Sequence, residues 1–293
     1  FDCSILAVVH FFDWGFNIYD NPERLRHILK EKYPDSFGKK LQKTFEEEKL
    51  YYSRVDHVLC LSNYMKGFLC RDYGISAAKI SVISNGVCDV VDTSINIKHL
   101  RRKWNILSEE KIILFVGRID EVKGVIYLIK AFREVLKTNK NCHLIMAGSG
   151  DYDKCFLECK DICIKTTFTG LLEKEDLYEL YQIADIGVVP SLFEPFGYVA
   201  VEMMMHQLPV VVTATSGLNE IVDNTCGLKI PLTVLPDSVE IDSKLLSEKI
   251  LYLIEHPTEA KQMGENGRGR FLNNYSSKIF CENMLWIYKS ICT

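Results

Sequence analysis

The sequence predicts an α/β protein made of two units built on doubly wound parallel sheets. Three observations carry that expectation. Short apolar runs without alternation, such as residues 4–9 (SILAVV) and 112–116 (IILFV), match strands covered on both faces. Longer amphipathic segments stand between such runs, so strand and helix alternate along the chain. Residues 88–103 turn polar and lose periodicity before the alternation restarts, which reads as a linker between two units. A chain of 293 residues is also long for one core.

Taken in order, the strand at 4–9 ends at His10, where open α/β sheets face their ligands. Asn21 and Pro22 open a helix as cap and first-turn residue, and a second helix follows over 38–53. Residues 57–61 are a buried strand, and Ser62 caps the helix that Gly74 ends. The strand at 80–84 runs into Asn85-Gly86-Val87, a dipeptide suited to a tight turn. After the linker, strands are expected at 112–116, 143–147, 166–169, 186–189 and 210–213. Helices are expected to 136, over 174–184, 198–206, 243–255 and 257–274, with a last one over 278–292.

Composition narrows the function classes. A net charge of -4 and a pI near 6.0 exclude the basic stripe of a nucleic-acid binder. No apolar run reaches the roughly 18 residues of a membrane span. Eleven cysteines, scattered through apolar segments, fit reduced thiols in a cytoplasmic setting. Cys155, Cys159 and Cys163 fall at helical spacing on one face, which favours packing over a zinc site, so no metal site is expected. Residues 22–54 carry nine Lys or Arg against six Asp or Glu, the candidate patch for peripheral contact with an anionic membrane.

The chemistry concentrates at the predicted strand ends. PSLFEPFGYVAVEMMMHQLP at 190–209 places Glu194 before a turn and Glu202 inside the following helix, with Pro195-Phe196-Gly197 between them. Gly197 lets the backbone approach a ligand, and the helix beginning at Tyr198 points free amides at it. Other strand ends supply Gly117-Arg118, Gly148-Ser149-Gly150 and Thr169-Gly170. Arg118 and Lys123, near one strand end, offer a planar fork and a mobile point charge for phosphate oxygens. Together these groups suit a diphosphate flanked by hydroxylated moieties, the shape of a nucleotide-sugar.

The motifs GRIDEVKG, MAGSG, FTGLLEKEDLYELYQIADIGVVPSLFEPFGYVAVEMM and SGLNEIV resemble the donor-binding domain of family 4 retaining glycosyltransferases. VVH, LSNYMK and ISNGV resemble the same group more loosely. The resemblance implies the GT-B fold: an acceptor-side domain over residues 1–95, a nucleotide-sugar domain over 96–275 and a C-terminal helix over 276–293. It also implies that the chain begins inside its first domain, since that family's two domains are of similar length.

The implied roles follow residue by residue. Arg118 and Lys123 hold the donor diphosphate without a divalent metal, beside Gly117 and Gly148. Glu194 binds sugar hydroxyls, the amides around Phe196, Gly197 and Tyr198 support sugar and phosphate with Pro195 in the same donor-binding turn, and Glu202 binds the ribose. Gly170 and Leu171 flank the base. His10 lies by the anomeric carbon, and Asn85 and Gly86 near the domain interface. The co-substrate is a UDP- or GDP-sugar with no resident cofactor, and the acceptor is a glycan or a lipid-linked molecule. The expected location is the cytoplasm or the inner face of the membrane. A non-catalytic nucleotide-sugar-binding module is the alternative, while no cofactor-bearing lysine in its own context supports a phosphorylase.

Overall fold

The computed structural model describes residues 3–19, 21–91 and 96–291. Strands β1 (Leu6–Val9), β2 (His57–Cys60) and β3 (Ile80–Val82) pair in parallel in that order. The second sheet contains β4 (Lys111–Val116), β5 (Cys142–Ala147), β6 (Thr166–Gly170), β7 (Ile186–Val189), β8 (Val210–Thr213) and β9 (Gly227–Ile230). Its order is β6-β5-β4-β7-β8-β9, and every pairing is parallel. β4 is followed in the chain by β5 on one side of it, while β7 lies on the other. The winding therefore reverses between β4 and β7, which opens a crevice at their carboxyl ends.

Local chemistry explains most of the helix starts. The Asn21 side chain accepts from the Arg24 amide at 3.0 Å, and Ser62 Oγ accepts from the Met65 amide at 3.2 Å. Both bonds satisfy donors that the first helical turn leaves unpaired. Helix Val125–Thr138 buries Leu128, Ile129, Phe132 and Val135, one stripe at helical spacing, against the second sheet.

The structure departs from the sequence reading in several places. The segment read as linker carries a helix, Ile97–Lys103, capped by Asn96; residues 92–95 of it lie outside the described residues. That helix is held by Arg101, whose guanidinium donates to the carbonyls of Ile183, Leu107 and Glu110. Ile183 is 82 residues away in the chain, a contact that periodicity alone does not show. The cysteine-bearing helix stops at Glu158; Cys155 and Cys159 are buried, whereas Cys163 is exposed, so the three thiols do not share a face.

A short helix, Asp13–Ile18, and a two-stranded ribbon, β10 (Leu232–Val234) with β11 (Val239–Ile241), were not anticipated, nor was β9. Asn85-Gly86 is no hairpin turn. The Val87 amide donates to the Tyr275 carbonyl at 2.8 Å and the Ser277 amide to the Val87 carbonyl at 2.9 Å, so two distant segments lie side by side. Gly86 is required there because a Cβ would meet Ser277 Cα at 2.9 Å and collide with Phe280. The last helix, Ser277–Ile291, then buries Ile287 against Leu59 and Ile83 beside the first sheet. Cys292, to which that helix was expected to run, lies outside the described residues.

Candidate active site

The crevice between β4 and β7 is where the polar groups converge. Lys123, just past β4, and Glu194, just past β7, are 71 residues apart in sequence, yet Lys123 Nζ donates to Glu194 Oε2 at 2.6 Å. Their side chains are only 18% and 14% exposed, so solvent screens the pair weakly. Ser191 Oγ reaches the same carboxylate oxygen at 3.4 Å.

The turn that carries Lys123 is organised by Asp120. Its carboxylate accepts the Lys123 amide at 3.0 Å and pairs with the Arg118 guanidinium at 3.0 Å. Arg118 is largely exposed and is held by this ion pair. On the β7 side, the Leu192 amide donates to the Val122 carbonyl at 2.8 Å, locking the two loops together.

Gly197 stands at φ 109° and ψ 50° as the residue before helix Tyr198–Met205. A side chain there would pay left-handed strain and press on Leu218. No side chain caps this helix, so its first-turn amides remain open toward the crevice. Phe196 is buried against Tyr275, while Tyr198 is exposed and meets Phe196 edge-on at 5.0 Å. The Gly217 amide donates to the Glu194 carbonyl at 3.0 Å, so the turn after β8 braces the loop from behind.

Glu202 points between two helices and accepts from the Tyr181 hydroxyl at 2.9 Å. Burial pushes its carboxyl above the ordinary value, with the Tyr181 hydrogen bond pulling part of the way back. His206 stacks on Tyr181 and Tyr178, and its Nδ1–H donates to the Glu202 carbonyl at 2.8 Å.

The first unit reaches the same loop. His10 is exposed just after β1, and Gly15 of the following short helix lies flush against the Phe193 ring. Phe16 meets Phe193 edge-on at 4.8 Å, so the chain leaving His10 rests on the residue before Glu194. Asn85 is buried, and its side-chain nitrogen finds no partner among the described residues. Gly117 and Gly148 stack where β4 and β5 end, and Pro195 lies against Gly217. Gly170 has open space around it, and Leu171 is 80% exposed at the end of the edge strand β6. Among the described residues no group of three or more His, Cys, Asp or Glu side chains is placed to hold a metal ion.

Comparison with known proteins places the chain in a family. Residues 96–270 match the family model described as glycosyl transferases group 1, and residues 5–89 match that of glycosyltransferase family 4. The chain belongs to the group 1 glycosyltransferase family. Over 176 residues it is 38% identical to an uncharacterized glycosyltransferase of Methanocaldococcus jannaschii, covering 56% of this chain and 44% of that one. It is 26% identical to the lipopolysaccharide 1,2-N-acetylglucosaminetransferase of Salmonella typhimurium, covering 75% of this chain and 58% of the relative. The chain thus spans about half the length of the curated relatives it matches.

Among solved structures, sucrose-phosphate synthase of Thermosynechococcus elongatus superposes with a TM-score of 0.75 at 23% identity, over 97% of this chain and 67% of that one. Anabaena HepE, solved with UDP and glucose, gives 0.76 at 19% identity, over 98% of this chain and 72% of its own. The fold is GT-B, with two Rossmann-like units.

Two residues of this group 1 glycosyltransferase chain escaped the sequence reading. Tyr181 stood within the motif that runs through residues 168–204 without a role, because its part is set by its contact with Glu202. Glu220 stood within SGLNEIV without a role. Its carboxylate accepts the Asn63 and Tyr64 amides at 2.9 and 2.6 Å, capping a first-unit helix from the second unit.

Glu202 supplies a pH prediction. Its folded pKa is raised, so its ionisation opposes folding: stability is greatest below the unfolded pKa and falls as pH rises through the folded value. Glu202→Gln keeps an acceptor for Tyr181 and removes the ionisation. Urea melts are expected to show the variant more stable than wild type at about pH 7.5, with the gap closing by about pH 4. A gap that does not change with pH would contradict a raised Glu202 pKa.

Proposed function

We propose that this chain transfers a sugar from a nucleotide-diphosphate sugar to an acceptor hydroxyl, with retention at the anomeric carbon and without a divalent metal. The observation that carries the reading is the Lys123–Glu194 pair at the point where the second sheet reverses its winding. There, a cation and a hydroxyl-binding carboxylate share one shielded crevice with an uncapped helix start. Residues 96–275 form the donor domain in this reading, residues 1–95 the acceptor side, and residues 276–293 a returning helix.

In the reaction the bond from the anomeric carbon to the β-phosphate oxygen breaks. A bond to the acceptor oxygen forms on the same face, and the acceptor's proton passes to the departing phosphate. Lys123 and Arg118 neutralise charge on that phosphate, which places most of the catalysis in orientation and electrostatics. Glu194 holds sugar hydroxyls, Glu202 the ribose, and Gly170 with Leu171 the base. His10 stands by the anomeric carbon, and Asn85 and Gly86 line the seam.

UDP or GDP is the nucleotide, UDP being the one named with HepE. The acceptor is a glycan or lipid-linked hydroxyl in polysaccharide or glycoconjugate synthesis, in keeping with the Salmonella relative's name. No helix among the described residues is long and apolar enough to cross a membrane. The basic stretch 22–54, with Tyr33 and Tyr51 exposed, is the proposed contact to an inner membrane face from the cytoplasm.

Calorimetric titration of UDP, GDP and ADP and their common sugar conjugates tests the reading. One nucleotide is expected to bind at micromolar concentration and to weaken at least tenfold, about 1.4 kcal/mol, in Glu202→Ala. No binding by folded wild type would end the donor-site reading. Binding without transfer to any acceptor would mark the chain as a nucleotide-sugar-binding module instead.

A further inference from the structure

The carboxylate of Glu202 is tied to its own backbone through two neighbouring rings. The Tyr181 hydroxyl donates to Glu202 Oε2 at 2.9 Å. The Tyr181 ring is only 1% exposed, stacked on the His206 ring with centroids 5.1 Å apart and on Tyr178 at 6.3 Å. His206 closes the loop, since its Nδ1–H donates to the Glu202 carbonyl at 2.8 Å.

Helices Lys174–Ile183 and Tyr198–Met205 follow β6 and β7, so both begin at the carboxyl ends of the sheet. Side chains on a helix lean toward its amino end. Glu202 is the fifth residue of its helix, roughly 6 Å along it, and leans back toward the crevice. Lys174, Tyr178 and Tyr181 recur at helical spacing on the neighbouring helix, and the Lys174 charge is within electrostatic reach of Glu202. Leu171, proposed to flank the base, stands three residues before Lys174.

An ionised carboxylate has room for about four donors. Tyr181 supplies one, and no other side chain or amide among the described residues donates to the Glu202 carboxylate. Its second oxygen is not sealed from solvent. Burial opposes ionisation of Glu202, and the Tyr181 bond favours it. Burial and the Glu202 charge push the Tyr181 hydroxyl well above its ordinary value, so it stays a donor. One carboxylate oxygen is therefore fixed while the other remains open. A glutamate without that bond rotates about several bonds, and ordering it on binding would cost affinity.

We propose that Tyr181 is a positioning residue: its hydroxyl holds Glu202 so that the open oxygen meets the ribose hydroxyls, and it thereby sets the preference for a ribose nucleotide over a deoxy one. The assignment deepens the reading of Glu202 as the ribose ligand and rests on it. The test is calorimetric titration of UDP and 2′,3′-dideoxy-UDP, and of GDP and its dideoxy counterpart, into the whole chain. Wild type is expected to bind the ribose form of its nucleotide at least tenfold tighter than the dideoxy form. In Tyr181→Phe the ribose form should weaken about fivefold and the dideoxy form stay within about twofold, so that the preference narrows to about twofold. A role in packing alone would weaken both forms alike.

A melting curve shows whether Tyr181→Phe folds. Should it not, the same substitution in Glu202→Ala, where no carboxylate is stranded, carries the test. There both affinities are expected to stay where Glu202→Ala alone puts them. A wild-type preference retained in Tyr181→Phe overturns the assignment. So does equal weakening of both forms, or a further loss in the Glu202→Ala background. Wild type that binds its nucleotide without preferring the ribose form removes the Glu202 reading too, and wild type that binds neither form removes the donor site altogether.

Discussion

Lys123→Met is expected to lower kcat/KM for sugar transfer by about 10²–10³-fold while leaving the fold intact. The expectation comes from where the ammonium sits. It is largely enclosed, it is held at 2.6 Å from Glu194, and it lies at the crevice toward which the donor diphosphate is proposed to point. Glu194 neutralises it in this structure. When the leaving phosphate gains charge, the ammonium is the group that can follow it, and a low-dielectric setting makes that attraction worth more than in water.

Truncation also strands Glu194. For a fully buried pair the stability cost would be about 3–5 kcal/mol. Both side chains here keep some solvent contact and Ser191 remains as a partner, so a loss of about 1–2 kcal/mol is expected. The rate effect should therefore exceed the stability effect. Initial rates with the nucleotide-sugar found by titration, beside urea melts of the same samples, make the comparison. Lys123→Arg should recover part of the rate. Wild-type turnover in Lys123→Met would remove this lysine from the chemistry.

Gly148→Ala is expected to cost about 3 kcal/mol of stability and to abolish nucleotide binding. Gly148 has φ +146°, and a Cβ there would land on the Gly117 carbonyl oxygen. Neither side can yield. The Gly117 amide is tied to the Ala147 carbonyl at 2.9 Å and the Gly148 amide to the Gly170 carbonyl at 2.9 Å. Those bonds fasten the carboxyl ends of β4, β5 and β6, and Arg118 follows immediately.

At about 2–4 °C per kcal/mol for a chain of this size, the midpoint should drop by roughly 6–12 °C. Gly269→Ala is the internal control. That glycine lies within helix Pro257–Asn274 with open space around it, so alanine should stabilise by about 0.5–1 kcal/mol. A Gly148→Ala protein as stable as wild type would show that the strand ends can rearrange, contrary to the packing seen here.

Much of this was legible in the order of residues, because those features are local. Apolar runs such as Ile186–Val189 declare covered strands wherever they stand, and Asn21 and Ser62 announce helix starts through bonds spanning three residues. Lys123, Glu194, Gly197 and Glu202 could be singled out as well. The chemistry of a glycine beside a helix start, flanked by carboxylates, is written in one short stretch.

What the sequence determined by itself was therefore most of the elements, the family and the identity of the chemical groups. The tertiary structure decided which groups meet. The placement of β7 beside β4 joins residues 71 positions apart into one ion pair, and no periodicity carries that information. The partnership of Tyr181 with Glu202, the helix at Ile97–Lys103 and the contact that requires Gly86 likewise depend on distant neighbours. Hydrogen-bond caps and hydrophobic runs act over a few residues, whereas a site at a sheet's point of reversal exists only once the strands have been ordered.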